Sequence, residues 1–326
     1  MQSHRCDFAW RELLRDLAWT LAPVALFAIA MHAGVLTSLW PRPRPAFDTE
    51  RTVLLHQADA CRKAESAEVL LLGDSSCLMD VSARRLSERL GRPVLNLGTF
   101  SFLDLNAHAL FLKEYVQHHP TPPRAVVLLL HPEALRRLSS DGFYLGALTN
   151  YWARREHYVG QTPSDRASRW MGVEIFRERF LGRLPVPLPG AYGQRYGFSR
   201  DLEMFMNLER GSLIDPEQVS FTGNAEYRLA ATLEKASRAF RAAVPSPTKL
   251  IVGITPAPAE FAGPRYPARQ AQFLRAWGTM LSADVLLTRL PATLPDRAFA
   301  RTTHLRGSEI PAYTDALATE LERAVP

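Results

Sequence analysis

The sequence predicts an α/β protein: a three-layer α/β/α sandwich with a mainly parallel sheet, one N-terminal transmembrane helix and an irregular insertion. Three observations predict it. Residues 69–72 and 125–130 are wholly apolar, as strands buried on both faces are. Segments of helical period alternate with such runs, a β-α-β-α-β rhythm. Residues 17–40 contain no Asp, Glu, Lys or Arg, and that length crosses a bilayer as a helix.

The anchor comes first. Trp19 and Trp40 flank it as an interfacial aromatic pair would. Arg5, Arg11 and Arg15 precede it, and Arg42, Arg44 and Arg51 follow, so the orienting bias is weak. A single N-terminal anchor leading a long domain is expected to export it. That puts residues 1–16 in the cytoplasm, the span at 17–40 in the inner (cytoplasmic) membrane, and the rest on the periplasmic or extracytoplasmic side. A core helix is the competing reading, and Pro23 and His32 favour it. Residues 41–49, opening Pro41-Arg-Pro-Arg-Pro45, read as a stiff linker.

The main domain is placed at 50–326. Helices are expected at 50–65, 81–90 and 105–118, with strands at 69–72, 94–97 and 125–130. Residues 139–222 break the rhythm and read as an insertion, partly helical around 164–182. Regular order resumes with a helix at 227–243, a strand at 250–254, a helix at 269–280, a strand at 285–287 and a last helix at 310–324.

Composition excludes some classes. The chain has 326 residues, 47% hydrophobic and 22% charged, which is ordinary for a globular protein. Its net charge of +6 is scattered, with no basic block that would serve a nucleic acid. Cys6, Cys61 and Cys77 have no metal-ligand spacing, and no cofactor or metal is expected. Cys77 reads as a small core residue. A Cys61–Cys77 disulfide is an option only outside the cytoplasm.

The chemistry centres on Gly73-Asp74-Ser75-Ser76, directly after the first strand. A serine there is presented at the strand's C-terminal end, where open parallel sheets keep their sites. Ser75 is the expected nucleophile, although Ser75 or Ser76 would equally serve as a helix N-cap. Asn96-Leu97-Gly98 ends the second strand, and the Gly98 N–H suits an oxyanion site. An ordinary strand-to-loop glycine is the plainer reading. His304 stands on a loop before the last helix and would act as general base. Alone, it would read as a solvated loop residue. The insertion carries Tyr144, Tyr151, Trp152, Tyr158, Trp170, Tyr192 and Tyr196 among arginines. Such faces suit an acidic sugar polymer, while packing of a helical insert explains them as well.

These pieces resemble the SGNH/GDSL hydrolase superfamily over about 66–135 and 248–322. More closely, they are similar to its membrane-anchored branch in polysaccharide O-acetylation, the alginate acetylation and D-alanyl transfer proteins. The Gly-Asp-Ser block matches Gly73, Asp74 and Ser75, and the second-block glycine matches Gly98. The last block matches His304, Leu305, Tyr313 and Thr314. The resemblance implies Ser75 and His304 as catalytic pair, with Ser75 and Gly98 N–H groups as oxyanion donors.

The departures are specific. Arg301 stands where the family has its acid, and a cation there would work against a charged imidazole. Asp296 is the nearest upstream acid. Arg306 replaces the Asn after His-Leu, and Glu309 a glycine. The third-block Asn is absent, and His131 is an alternative donor. The resemblance implies acyl, chiefly acetyl, ester chemistry on a cell-surface polysaccharide, with a multipass membrane O-acyltransferase as partner. A plain esterase, or a catalytically degenerate scaffold binding glycan or that partner, is the alternative.

Overall fold

The computed structural model describes residues 9–44, 48–63, 65–100, 103–137, 142–152, 163–216, 221 and 224–325. Cys6 and Tyr158 lie outside these residues, as does the side chain of Tyr144. The chain divides into two compact units. One comprises Met1–Ala46 and Asn150–Leu184, the other Phe47–Thr149 and Pro185–Pro326. The stretch 139–222, expected as one insertion, is thus shared between them.

The larger unit is mixed α/β, built on a sheet of five strands. β1 is Val69–Gly73, β2 Val94–Asn96, β3 Ala125–Leu130, β4 Lys249–Ile254 and β5 Val285–Leu286. The order is β2-β1-β3-β4-β5, and every pairing in this sheet is parallel. Every residue of β1, β2 and β3 is buried, which explains why they are apolar on both sides. On one face Val69, Leu71, Val94, Val127 and Ile251 form a core with Leu86, Leu317 and Leu321. These last three come from the helices Ala83–Leu90 and Ile310–Ala324. The alternate residues Leu70, Leu72, Val126, Leu128, Leu250 and Val252 are equally buried. The helices Thr49–Lys63, Leu105–His118, Leu233–Arg241 and Tyr266–Leu281 touch one another in succession.

Several expected boundaries move for identifiable reasons. The helix expected at 81–90 starts at Ala83, because the Ser82 hydroxyl caps it by accepting from Arg85 N–H. A separate helix, Ser75–Asp80, precedes it. The helix expected over 227–243 is shorter, Leu233–Arg241, and Tyr227 lies in the segment before it. Cys61 and Cys77 are buried free thiols. Their sulfurs approach the Phe111 carbonyl and Asn96 Oδ1, at 3.7 and 3.6 Å.

The smaller unit contains the apolar helix Trp10–Leu36, long and apolar enough to span a membrane. Trp40 does not stand out as an interfacial flank. It folds back, and its indole N–H donates to the Ala30 and Met31 carbonyls.

Candidate active site

Parallel pairing puts the C-terminal ends of β1 to β4 along one rim, and Ser75, Gly98, His131 and Thr255 follow those ends. At Gly73 the backbone passes so close to β3 that a Cβ would lie 1.8 Å from the Leu129 carbonyl oxygen. Only glycine allows that approach. The chain then turns into the helix Ser75–Asp80. Its cap is neither serine but Asp74, whose carboxylate accepts from Ser76 N–H and from the Ser76 hydroxyl at 3.0 and 2.6 Å. The other Asp74 oxygen accepts from His131 N–H at 3.0 Å. Burial raises the Asp74 pKa, and these hydrogen bonds oppose the rise. Thr255 donates to Ser76 Oγ at 2.8 Å, so the ends of β1, β3 and β4 form one polar network.

Ser75 occupies the first turn of that helix. Its backbone N–H is therefore outside the helical hydrogen-bond ladder. Its hydroxyl lies 2.8 Å from His304 Nε2. Both residues are buried, Ser75 6% and His304 7% exposed, so little water competes for the contact. His304 begins a two-residue strand paired antiparallel with Phe299–Arg301. The next residue, Leu305, donates its N–H to Asp80 Oδ1 at 2.8 Å. The last residue of the serine's helix thereby holds the histidine's backbone. Burial pushes Asp80 well above the usual carboxylate range, and the charges of Asp74 and Asp215 push it further.

The acid facing His304 is Asp215. Its Oδ2 lies 2.5 Å from His304 Nδ1. Asp296, the expected acid, instead accepts from Glu260 N–H at 2.8 Å. Arg301 does reach the site, with its Nε 2.9 Å from the same Asp215 oxygen. It therefore pairs with the acid rather than occupying the acid's place.

Asp215 arrives on a segment fastened at many points. Tyr196 Oη donates to the Ile214 carbonyl at 2.6 Å and accepts from Ile214 N–H at 3.2 Å. Leu213 N–H donates to the Leu78 carbonyl. The Ser212 hydroxyl accepts from Ala83 N–H and from Asn96 Nδ2. Gln57 Nε2 donates to the carbonyls of Gly211 and Gly98. At Gly211, with φ +91°, a Cβ would lie 2.0 Å from the Asn96 carbonyl oxygen, so this crossing too requires glycine.

The expected oxyanion donors differ in readiness. The Gly98 N–H already donates to Asn96 Oδ1 at 2.8 Å, so it is engaged within the protein. His131 is 1% exposed, and its N–H donates to Asp74 in the turn that carries Ser75. Its Nδ1 accepts from Glu133 N–H at 3.2 Å, which assigns the ring proton to Nε2. That Nε2 is buried without a partner among the described residues. Burial, and secondarily the His304 charge, lower the His131 pKa to about 3, so the ring stays a neutral donor. Its ring stands perpendicular to that of Tyr227, with centroids 5.8 Å apart and planes at 87°.

Tyr313 and Thr314 are framework. Tyr313 is in the core, and Thr314 Oγ1 accepts from Ser82 N–H at 3.1 Å. Tyr192 and Tyr196 pack with Leu202, Met206, Leu78 and Met79, so these two aromatics support the serine helix. Trp170, Tyr151 and Trp152 belong to the smaller unit. Asp215 carried no local signal in the sequence. It lies 89 residues from His304, in the stretch expected as insertion.

The chain matches no family model, no curated protein and no solved structure.

Proposed function

We propose that this chain is a serine-dependent acyl-transfer enzyme of SGNH type, with a three-layer α/β/α domain held at a membrane on its extracytoplasmic side. The observation that carries the proposal is the unbroken line from Ser75 Oγ through His304 to Asp215. Nucleophile, base and orienting acid are each within hydrogen-bond reach of the next, as nucleophilic acyl transfer requires. The burial of β1 to β3 on both faces supports the layered reading.

Ser75 Oγ attacks the acyl carbonyl carbon while its proton moves to His304 Nε2. Asp215, accepting from Nδ1–H, stabilises the imidazolium that forms. The developing oxyanion is received by the Ser75 N–H and the His131 Nε2–H. Collapse expels the leaving alkoxide, which takes the proton from His304, and leaves an acyl ester on Ser75. Water or a sugar hydroxyl then attacks that ester, with His304 again accepting and returning the proton. An acetyl group on a cell-surface polysaccharide is the substrate to which the motifs at Ser75, Gly98 and His304 point by resemblance. A multipass membrane O-acyltransferase would supply the acyl group.

A fluorophosphonate probe tests the proposal on the full-length protein in detergent. A Ser75 adduct that disappears in Ser75→Ala is expected. A folded wild-type protein with no Ser75 adduct would overturn it. That outcome would favour a second reading, a non-catalytic scaffold binding glycan or a membrane partner. The engaged Gly98 N–H and the Arg301–Asp215 pair are the observations on its side.

A further inference from the structure

We propose that residues 163–183 form a second membrane element, a helical hairpin seated in the bilayer beside the anchor, and that the groove between them holds a phospholipid acyl chain. The hairpin comprises the helices Pro163–Trp170 and Val173–Arg179, joined through Met171 and Gly172. It belongs to the same compact unit as the anchor helix.

The contacts cover the C-terminal part of the anchor. Phe176 meets Phe27 edge to face at 5.9 Å, and Phe180 meets Trp40 at 5.4 Å. At Gly172 a Cβ would lie 2.8 Å from Met31 Cβ, so the turn rests directly on the helix. The anchor residues touched, Phe27, Ala28, Met31 and His32, lie within the charge-free run 17–40. They fall roughly 15 to 22 Å past Leu17 along the helix, at about 1.5 Å per residue. A hydrocarbon layer is about 30 Å thick, so a span that uses this run holds the touched residues inside it. If the anchor crosses the bilayer, the hairpin enters it alongside.

His32 supports this placement. An ionisable side chain inside a span needs a partner, since lipid offers none. His32 Nε2 donates to the Trp170 carbonyl at 3.1 Å, at the C-terminal end of the hairpin's first helix. The hairpin thus satisfies the most polar side chain of the charge-free run, and the anchor satisfies an end-of-helix carbonyl.

Several charged side chains of the hairpin engage the chain just after the anchor, or one another. Arg179 donates to the Trp40 and Pro41 carbonyls, Arg183 to the Arg42 carbonyl, and Arg177 pairs with Glu174. Trp170, 77% exposed, and Met171 instead border a groove of about 760 Å³ whose other wall is the anchor. Leu21, Val24, Ile29 and Leu36 line that wall, all exposed. The groove's position along the anchor commits its occupant to a lipid chain.

The test uses the full-length protein in phosphatidylcholine–phosphatidylglycerol vesicles. A nitroxide is placed at Trp170→Cys and, separately, at Val173→Cys, in a Cys6→Ser background where Cys61 and Cys77 are buried. Arg238→Cys, on an exposed side chain of the α/β unit, is the aqueous reference. Both hairpin sites are expected to collide more with oxygen than with a water-soluble nickel chelate, the reverse of the reference. Hairpin sites that match the reference would overturn the membrane placement. Native mass spectrometry is expected to find phospholipid retained on the wild type and lost from Ala25→Trp, which fills the groove. A wild type that retains none, or an Ala25→Trp protein that retains as much, would overturn the groove's occupancy. Flotation tests the anchor itself, so its failure is distinguishable. None of these readouts depends on the acyl-transfer chemistry.

Discussion

Asp215 meets His304 across 89 residues of chain, with Oδ2 2.5 Å from Nδ1, and Arg301 Nε lies 2.9 Å from the same oxygen. One carboxylate oxygen therefore serves both the base and a cation. Arg301, at the position where the resemblance would put an acid, is the cation beside Asp215.

Asp215→Asn is expected to slow Ser75 phosphonylation by about 10²- to 10⁴-fold, because an amide leaves the imidazole in the wrong tautomer. Asp296→Asn is expected to stay within about threefold of wild type, since Asp296 caps Glu260 and does not face His304. The two rates, measured side by side with a fluorophosphonate probe, check the assignment. Equal losses from both variants would refute it.

His131→Ala is expected to lower kcat for p-nitrophenyl acetate by about 10²- to 10³-fold with little change in KM, the pattern of a lost oxyanion donor. His131→Asn keeps a donor and should recover part of the loss. Because the His131 pKa is depressed to about 3, the acid limb of the pH–rate profile between pH 5 and 8 should not move in either variant. A shifted limb would show that His131 titrates as a base.

His108 offers a stability test away from the site. It is fully buried, and neither ring nitrogen has a partner among the described residues. Burial lowers its pKa to about 4, from 6.5, against a smaller opposing effect of Asp104. The unfolded chain therefore binds the proton more readily. Stability from this group is intact above about pH 6.5 and is lost as pH falls toward 4. Between pH 7 and 5 the loss is about 2 kcal/mol. His108→Phe should reduce the acid-induced fall in unfolding free energy by about that amount, measured by urea titration at both pH values. An unchanged fall would show that His108 is not the titrating group.

Much of the larger unit was legible because its signals are local. The runs at 69–73 and 125–130 are apolar because both faces are covered, and Ser75 follows the first of them directly. His304 is marked in the sequence by its place before the last helix and by its neighbours Leu305, Tyr313 and Thr314. Asp215 is not, because nothing next to it encodes its partner. Its position is set by Tyr196, Leu78, Asn96 and Gln57, which are distant in sequence. The Gly98 N–H could be located but not its state, since its engagement depends on the Asn96 rotamer. The arginines and aromatics of 139–222 gave composition without topology. Hence Trp170 and Tyr196 seemed to belong together, although they lie in different units.

The segment that delivers Asp215 has one further consequence. β2 is one of the two outer strands of the sheet, and its Asn96 N–H donates to the Arg210 carbonyl at 2.9 Å, five residues before Asp215. An open strand edge is a template on which other chains pair and aggregate. Here the backbone that carries Asp215 to His304 also seals part of that edge. A molecule that has not yet docked this segment leaves the edge open, so the approach of Asp215 to His304 and protection from self-association arrive in the same folding step.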